Sequence, residues 1–196
     1  MPNKRILTLL TVLIFVATQA SAQTQNLLQN AKADLETQHW RTFGQATVED
    51  VNGNHCFVVR NGGYFIQDVI LPDDAAGKFA LLIGHGASDR INSDGAITGL
   101  PYLYGYMMVR GGPDDGHILS YLQHASLRGS ATLAGEWVRM SGIAQVPERT
   151  GKIRFFLKQA LQQGVPQNGS GARFDDLGLF LFPTEAEAKA FAAAYN

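Results

Sequence analysis

"GARFDDLGLFLFP" (171–183) decides how this chain is read, because it has the composition of a strand yet carries two adjacent carboxylates, Asp175 and Asp176. Successive side chains on a strand point to opposite faces. One aspartate of such a strand faces solvent, and the other enters the apolar side, where it needs a partner.

Working outward from that segment, the rest of the chain is also mostly of period two. "ATVEDV" (46–51), "HCFVVR" (55–60), "YFIQDVIL" (64–71) and "KFALLIG" (78–84) are short runs rich in β-branched and aromatic residues. The turn sequences "NGN", "NGG" and "PDDAAG" separate them. The pattern resumes in "YLYGYMMV" (102–109), "HILSYLQ" (117–123), "EWVRMSGIAQV" (136–146) and "KIRFFLKQA" (152–160). About ten strands with no long helix between them predict an all-β fold, an antiparallel β-sandwich. Pro183 stops the last strand, and Thr184 with Glu187 has the spacing of a capping box. Ala188, Phe191, Ala192 and Tyr195 then fall on one stripe. The expectation is a C-terminal helix packed on the sandwich by Phe191 and Tyr195.

The other end of the chain bears on compartment. Lys4 and Arg5 precede the apolar run "ILTLLTVLIFVATQA", and "ASA" at 20–22 places small residues before Gln23. This is the pattern of a cleaved signal peptide, and the run is short for a spanning helix. The expected organisation is a signal peptide over 1–22, a β-sandwich domain over 23–183 and the C-terminal helix over 184–196. The mature chain is then secreted or periplasmic, without a membrane span. No Cys follows Ala22 to carry a lipid anchor. Without Lys4 and Arg5 the 16 basic residues become 14 against 17 acidic ones, a net charge of −3. That balance argues against nucleic acid or an anionic membrane as partner. One cysteine, Cys56, makes no internal disulfide and lies in an apolar run, where it reads as a small buried residue.

"NLLQNAKADLETQHW" (26–40), "FIQDVIL" (65–71), "EWVRMSGIAQVPERTGKIRFFLKQ" (136–159) and the closing "ARFDDLGLFLFP" together, in this order, resemble galactose-binding-like β-jelly rolls. Within that group the chain is most similar to CenC-like carbohydrate-binding modules and F-box-associated sugar-binding domains. The resemblance implies a jelly roll, carbohydrate binding, and Trp40 and Trp137 in core or near-core packing. It also implies a structural Ca²⁺ joining the N-terminal segment to the last strand, with Asp175, Asp176, Asp34 and Glu36 as candidate ligands. Lys32, standing where such domains usually have Pro-Gly, brings a positive charge close to that position. Without a metal, the alternative is that Asp175 and Asp176 lie at a strand edge or accept from the amides of 27–30.

Catalytic constellations are sparse. The histidines His39, His55, His85, His117 and His124 contain no metal-ligand pair of the H-E-x-x-H kind. "GHGAS" (84–88) is not a nucleophile elbow. Asp73–Asp74 and Asp114–Asp115 are turn formers, and His85 with Asp89 is at most a local acid–base pair. The long region 85–101 holds "NSDG", but with Asn92 and Asp94 at the third and fifth positions an EF-hand would need Arg90 and Pro101 as ligands. It is not an EF-hand.

Aromatic patterning is the stronger signal. Tyr102, Tyr104 and Tyr106 alternate and so share one strand face. Flat rings with a hydrogen-bonding tip suit the apolar faces of sugars. With Arg90, Asn92 and Asp94 from the neighbouring loop they make a candidate glycan site. The opposite register, Leu103, Met107 and Val109, is also apolar, so either face can be core. Three function classes follow: an exported non-catalytic module binding a glycan or cell-surface polysaccharide, an exported protein-interaction or structural module, and a carbohydrate-active enzyme on a jelly roll.

Overall fold

A computed structural model describes residues 24–88, 90–91, 97–123, 136–160 and 171–195. The expected signal peptide lies outside them. Among these residues ten strands precede one helix: β1 (Arg41–Val51), β2 (Asn54–Ile70), β3 (Phe79–Ser88), β4 (Arg90–Ile91), β5 (Ile97–Thr98), β6 (Leu100–Val109), β7 (Ile118–Gln123), β8 (Val138–Gln145), β9 (Thr150–Ala160), β10 (Gly171–Phe182) and α1 (Glu185–Ala194). Hydrogen bonding runs β7-β6-β9-β2-β10-β3-β8, with β1 paired to β2. All pairings are antiparallel. This is an all-β jelly roll with a short C-terminal helix.

β2 serves both layers, and β1 follows it. The first half of β2 pairs with β10 through Phe57–Arg60, and the second half pairs with β9 through Tyr64–Ile70. The sequence suggested a turn at "NGG" between two strands; the structure has a corner inside one strand. Asn61 and Gly62 take left-handed φ values of 49° and 78°, which bend the chain without reversing it. A Cβ on Gly63 would stand 2.5 Å from the carbonyl oxygen of Gln45, so only glycine lets β1 follow the corner. By contrast "NGN" is a true hairpin turn, with Asn52 at φ 58° and Gly53 at φ 83° between the paired Val51 and Asn54. The irregular region also proves shorter than expected, since His85–Ser88 belong to β3.

Sheet A (the start of β1, the second half of β2, β9, β6, β7) and sheet B (the rest of β1, the first half of β2, β10, β3, β8) enclose the main core. Phe65, Phe155, Leu157, Leu103 and Met107 enter it from sheet A, and Phe57, Leu82, Met140, Phe174 and Leu179 from sheet B. Trp40 lies within it, its ring centroid 5.0 Å from that of Phe57. Trp137 instead sits just before β8 and is 38% exposed, because the chain has not yet entered the sheet there. Cys56 is buried and unbridged.

The outer face of sheet B is apolar too: Leu81, Ile83, Phe180 and Phe182 meet Ala188, Ala192, Phe191 and Tyr195 of α1. The capping box is present, with Thr184 Oγ1 accepting from the Glu187 amide at 3.2 Å and the Glu187 carboxylate accepting from the Thr184 amide at 3.1 Å. None of the helices among the described residues is long and apolar enough to cross a membrane.

Residues 26–31 close one end of the core. Leu27 N–H donates to Leu179 O at 2.8 Å, and Asn26 donates to Leu177 O and accepts from the Leu179 amide. The buried Gln67 side chain accepts from the Gln29 amide at 2.8 Å and donates to the Gln29 carbonyl at 2.9 Å. Gln67→Leu keeps the volume and removes both bonds. It is expected to lower unfolding free energy by roughly 1–3 kcal/mol in denaturant titration. An unchanged midpoint and slope would show that the N-terminal segment docks without it.

Candidate functional site

The outer face of sheet A is built as rungs, because directly paired residues share a face. Phe43, Tyr64, Lys158 and Tyr102 form one rung across β1, β2, β9 and β6. Arg41, Ile66, Phe156, Tyr104 and Gln123 form the next and reach β7. Asp68, Arg154, Tyr106 and Tyr121 form the third. Four strand spacings make the face about 19 Å wide.

The rings interlock. Tyr104 lies parallel to Phe156 with centroids 4.5 Å apart and stacks on Tyr102 at 4.9 Å. Tyr106 meets Phe156 and Tyr121 edge-on at 5.1 and 5.5 Å. At the β1 edge Phe43 and Tyr64 stack at 4.7 Å. The face is apolar at its centre, and Arg154 makes a two-point bridge to Asp68 at 2.7 and 2.9 Å. Arg41 adds a third bond to Asp68 at 3.1 Å. Hydrogen bonds from Arg154 hold the Asp68 carboxyl below the ordinary aspartate range. Below that range protonation weakens the bridge, so its contribution is present above the ordinary aspartate pKa and lost in acid.

The register question raised by the tyrosine strand resolves as follows. Leu103 and Met107 are wholly buried in the main core, and the tyrosines take the opposite, outer face. They are not a free-standing platform. Tyr104 is only 8% exposed, because Tyr102, Tyr106 and Phe156 surround it, and burial raises its phenol pKa. Tyr102 and Tyr106 are half-buried and Tyr121 is exposed. The rings available from outside are thus Tyr102, Tyr106 and Tyr121, with Tyr64 and Phe43 at the other edge.

Of the loop residues joined to the tyrosines in the sequence reading, Arg90 lies on β4 opposite Thr98. Asn92 and Asp94 lie outside the described residues. Phe43, Tyr64, Asp68, Tyr121, Arg154, Phe156 and Lys158 were missed. Their alternation is visible in "YFIQD" and "KIRFFLKQ", but strand pairing was needed to bring those runs beside 102–106.

The two aspartates of β10 occupy a bulge. Asp175 opposes His85 and Gly178 opposes Ile83, which leaves Asp176 and Leu177 facing Gly84 alone. A Cβ on Gly84 would stand 2.8 Å from the Leu177 side chain, so glycine here makes room for the extra residue. Asp176 adopts φ 48°, so strict alternation fails at this point. Asp175 is buried; it accepts from Asn54 Nδ2 at 2.6 Å and from the Asp176 amide at 2.7 Å, and burial pushes its pKa up. Asp176 pairs with Lys32 at 3.0 Å and faces His85 Nδ1 at 3.7 Å, while its carbonyl accepts from the Tyr195 hydroxyl.

The amides of Leu27, Leu28 and Gln29 go to Leu179 O, Asn26 Oδ1 and Gln67 Oε1, not to these carboxylates. Asp34 and Glu36 are exposed. Among the described residues no three His, Cys, Asp or Glu side chains converge as metal ligands. The side chains named for Ca²⁺ do not form a donor set by themselves.

Other candidate pairs are explained locally. Asp74 binds Lys78, Asp114 binds Arg149, and Asp115 caps the Gly111 amide and meets Lys152. Asp89 lies outside the described residues; His85 Nδ1 stands 3.7 Å from the Asp176 carboxylate.

No protein-family model and no curated protein matches the chain. Solved structures do. A tandem of two carbohydrate-binding modules, CBM22-1–CBM22-2, from Xyn10C of Paenibacillus barcinonensis aligns with a TM-score of 0.57 at 20% identity, over 83% of this chain and 51% of that one. The carbohydrate-binding module TmCBM61, solved with β-1,4-galactotriose, aligns with a TM-score of 0.50 at 18% identity, over 80% of this chain and 99% of the module. The enzymatically active domain of tailspike protein 4 of bacteriophage CBA120 aligns with a TM-score of 0.54 at 12% identity. This chain covers 80% of its own length in that match and 21% of the tailspike domain. The fold is the jelly roll found in carbohydrate-binding modules.

The two registers of β6 predict a measurable asymmetry. Leu103→Ala empties a sealed core and is expected to cost about 2–5 kcal/mol in denaturant unfolding. Tyr104→Ala opens a space that water can enter from outside, with an expected loss of about 1–3 kcal/mol. A loss at Tyr104 that exceeds the loss at Leu103 would place the true core on the tyrosine side.

Proposed function

We propose that the protein is an exported, non-catalytic module that binds a glycan on the outer face of sheet A. The observation carrying this reading is the contrast between the two outer faces. Sheet B hides its apolar face under α1, whereas sheet A leaves Tyr102, Tyr106 and Tyr121 partly open beside a bidentate Arg154–Asp68 bridge. Stacked phenols accept the apolar face of a pyranose, and the tyrosine hydroxyls, Arg154 and Gln123, which share the rungs of these rings, offer hydrogen bonds to its rim. The likeness in fold to carbohydrate-binding modules agrees with this reading, while ligand choice rests on the face itself.

The test is a glycan array on the purified protein, followed by titration of any hit with wild type and with Tyr106→Ala. Loss of binding by tenfold or more in a variant that still melts cooperatively supports the site. Binding that survives Tyr106→Ala and Tyr102→Ala together would move the ligand elsewhere. Capture of a protein partner on this face with no glycan bound would favour the interaction-module alternative.

A structural Ca²⁺ between residues 34–36 and 175–176 is a subsidiary proposal, and backbone carbonyls would have to complete its coordination. It requires the melting temperature to rise in Ca²⁺ and fall in chelator, with the difference removed by Asp175→Asn. Identical melting in both solutions removes the metal.

A further inference from the structure

Among the described residues four cations stand on the outer face of sheet A, and three are already engaged. Arg154 and Arg41 bind Asp68, and Lys152 binds Asp115. Lys158 differs. It sits mid-rung with Tyr64 on one side and Tyr102 on the other. Its ammonium lies 5.2 Å from the centre of the Tyr64 ring and makes no ion pair among the described residues. A chain of neutral sugars laid across these rings would cover that ammonium without giving it a counter-charge. Burying an unpaired cation is costly, and an anion on the ligand removes the cost.

We propose that Lys158 selects a uronate-bearing polysaccharide, binding the carboxylate of a sugar whose ring stacks on Tyr102. This rests on the glycan-binding reading above. The carboxylate of a uronic acid is attached directly to a ring carbon. A ring stacked over Tyr102 therefore holds it about one strand spacing to the side, ~4.8 Å, where Lys158 stands. Lysine serves here as a point charge on a flexible stem.

The experiment is titration of the purified protein, by calorimetry or affinity electrophoresis, against polygalacturonate, its methyl ester, neutral galactan and dextran sulfate. Wild type, Lys158→Met and Tyr106→Ala are compared. Methionine keeps an aliphatic side chain on Tyr64 and removes the charge; Lys158→Gln repeats the comparison if the methionine variant does not fold. The expected result is at least tenfold tighter binding of polygalacturonate than of its ester, a preference that falls in 0.5 M NaCl and disappears in Lys158→Met. Tyr106→Ala should weaken both polymers together. Equal affinity for the acid and the ester, or an undiminished preference in Lys158→Met, overturns the inference and leaves glycan binding intact. Binding of dextran sulfate without polygalacturonate overturns the uronate assignment. Failure to bind any polysaccharide removes both this inference and the proposed function.

Discussion

The fold depends on β2 leaving one sheet and entering the other, and that passage depends on the corner at Asn61–Gly63. Two left-handed residues bend the strand, and the missing side chain at Gly63 lets the Gln45 carbonyl approach. Because the corner bends without reversing the chain, β2 has two partner sets, β10 early and β9 late. The alternation of β2 then places Phe57 and Phe65 in the same core from different sheets. It also places Tyr64, Ile66 and Asp68 on an outer face beside β9 and β6. A core between two sheets and an aromatic face outside one of them are consequences of a single bend.

The two outer faces are handled differently by the same chain. On sheet B, Phe180 and Phe182 alternate with core-facing Leu179, and α1 covers them. The capping box starts that helix two residues after β10 ends, so the covering element is delivered locally, with little loop entropy to overcome. On sheet A the apolar rings partly cover one another: Tyr104 is buried by its own neighbours and by Phe156. The price of that self-packing is that the rims of Tyr102, Tyr106 and Tyr121 stay accessible, and an accessible aromatic rim is what a stacking ligand requires.

The paired aspartates illustrate how neighbouring carboxylates on one strand find different partners. The bulge in β10 inserts one extra residue opposite Gly84, and the N-terminal segment docks there through Asn26 and the Leu177 amide, which donates to Ala31 O. Asp175 is turned inward and satisfied by Asn54 and a neighbouring amide; Asp176 is turned outward to Lys32 and His85. One carboxylate goes inward and one outward, as strand geometry demands, but a left-handed residue rather than simple pleating makes the division. Lys32, whose positive charge the sequence brings close to this position, is the partner of Asp176.

Period-two patterning, turn residues and the capping box by themselves determined the all-β class, most strand positions and the C-terminal helix with its Phe191–Tyr195 stripe. They did so because alternation, left-handed turn residues and caps are local properties that survive without tertiary context. The merging of 55–60 with 64–71, the exposure of Trp137 and the composition of the aromatic face were not legible. In "YLYGYMMV" both registers are apolar, so no hydrophobicity argument can choose the core side. Only the pairing of β6 with β9, and of β9 with β2, decided that Leu103 faces the other sheet and that Tyr106, Arg154 and Asp68 share a rung. Residues 86 positions apart, as in the Arg154–Asp68 bridge, meet only when the sheet forms, because strand neighbours are set by long-range hydrogen bonds that no local pattern encodes.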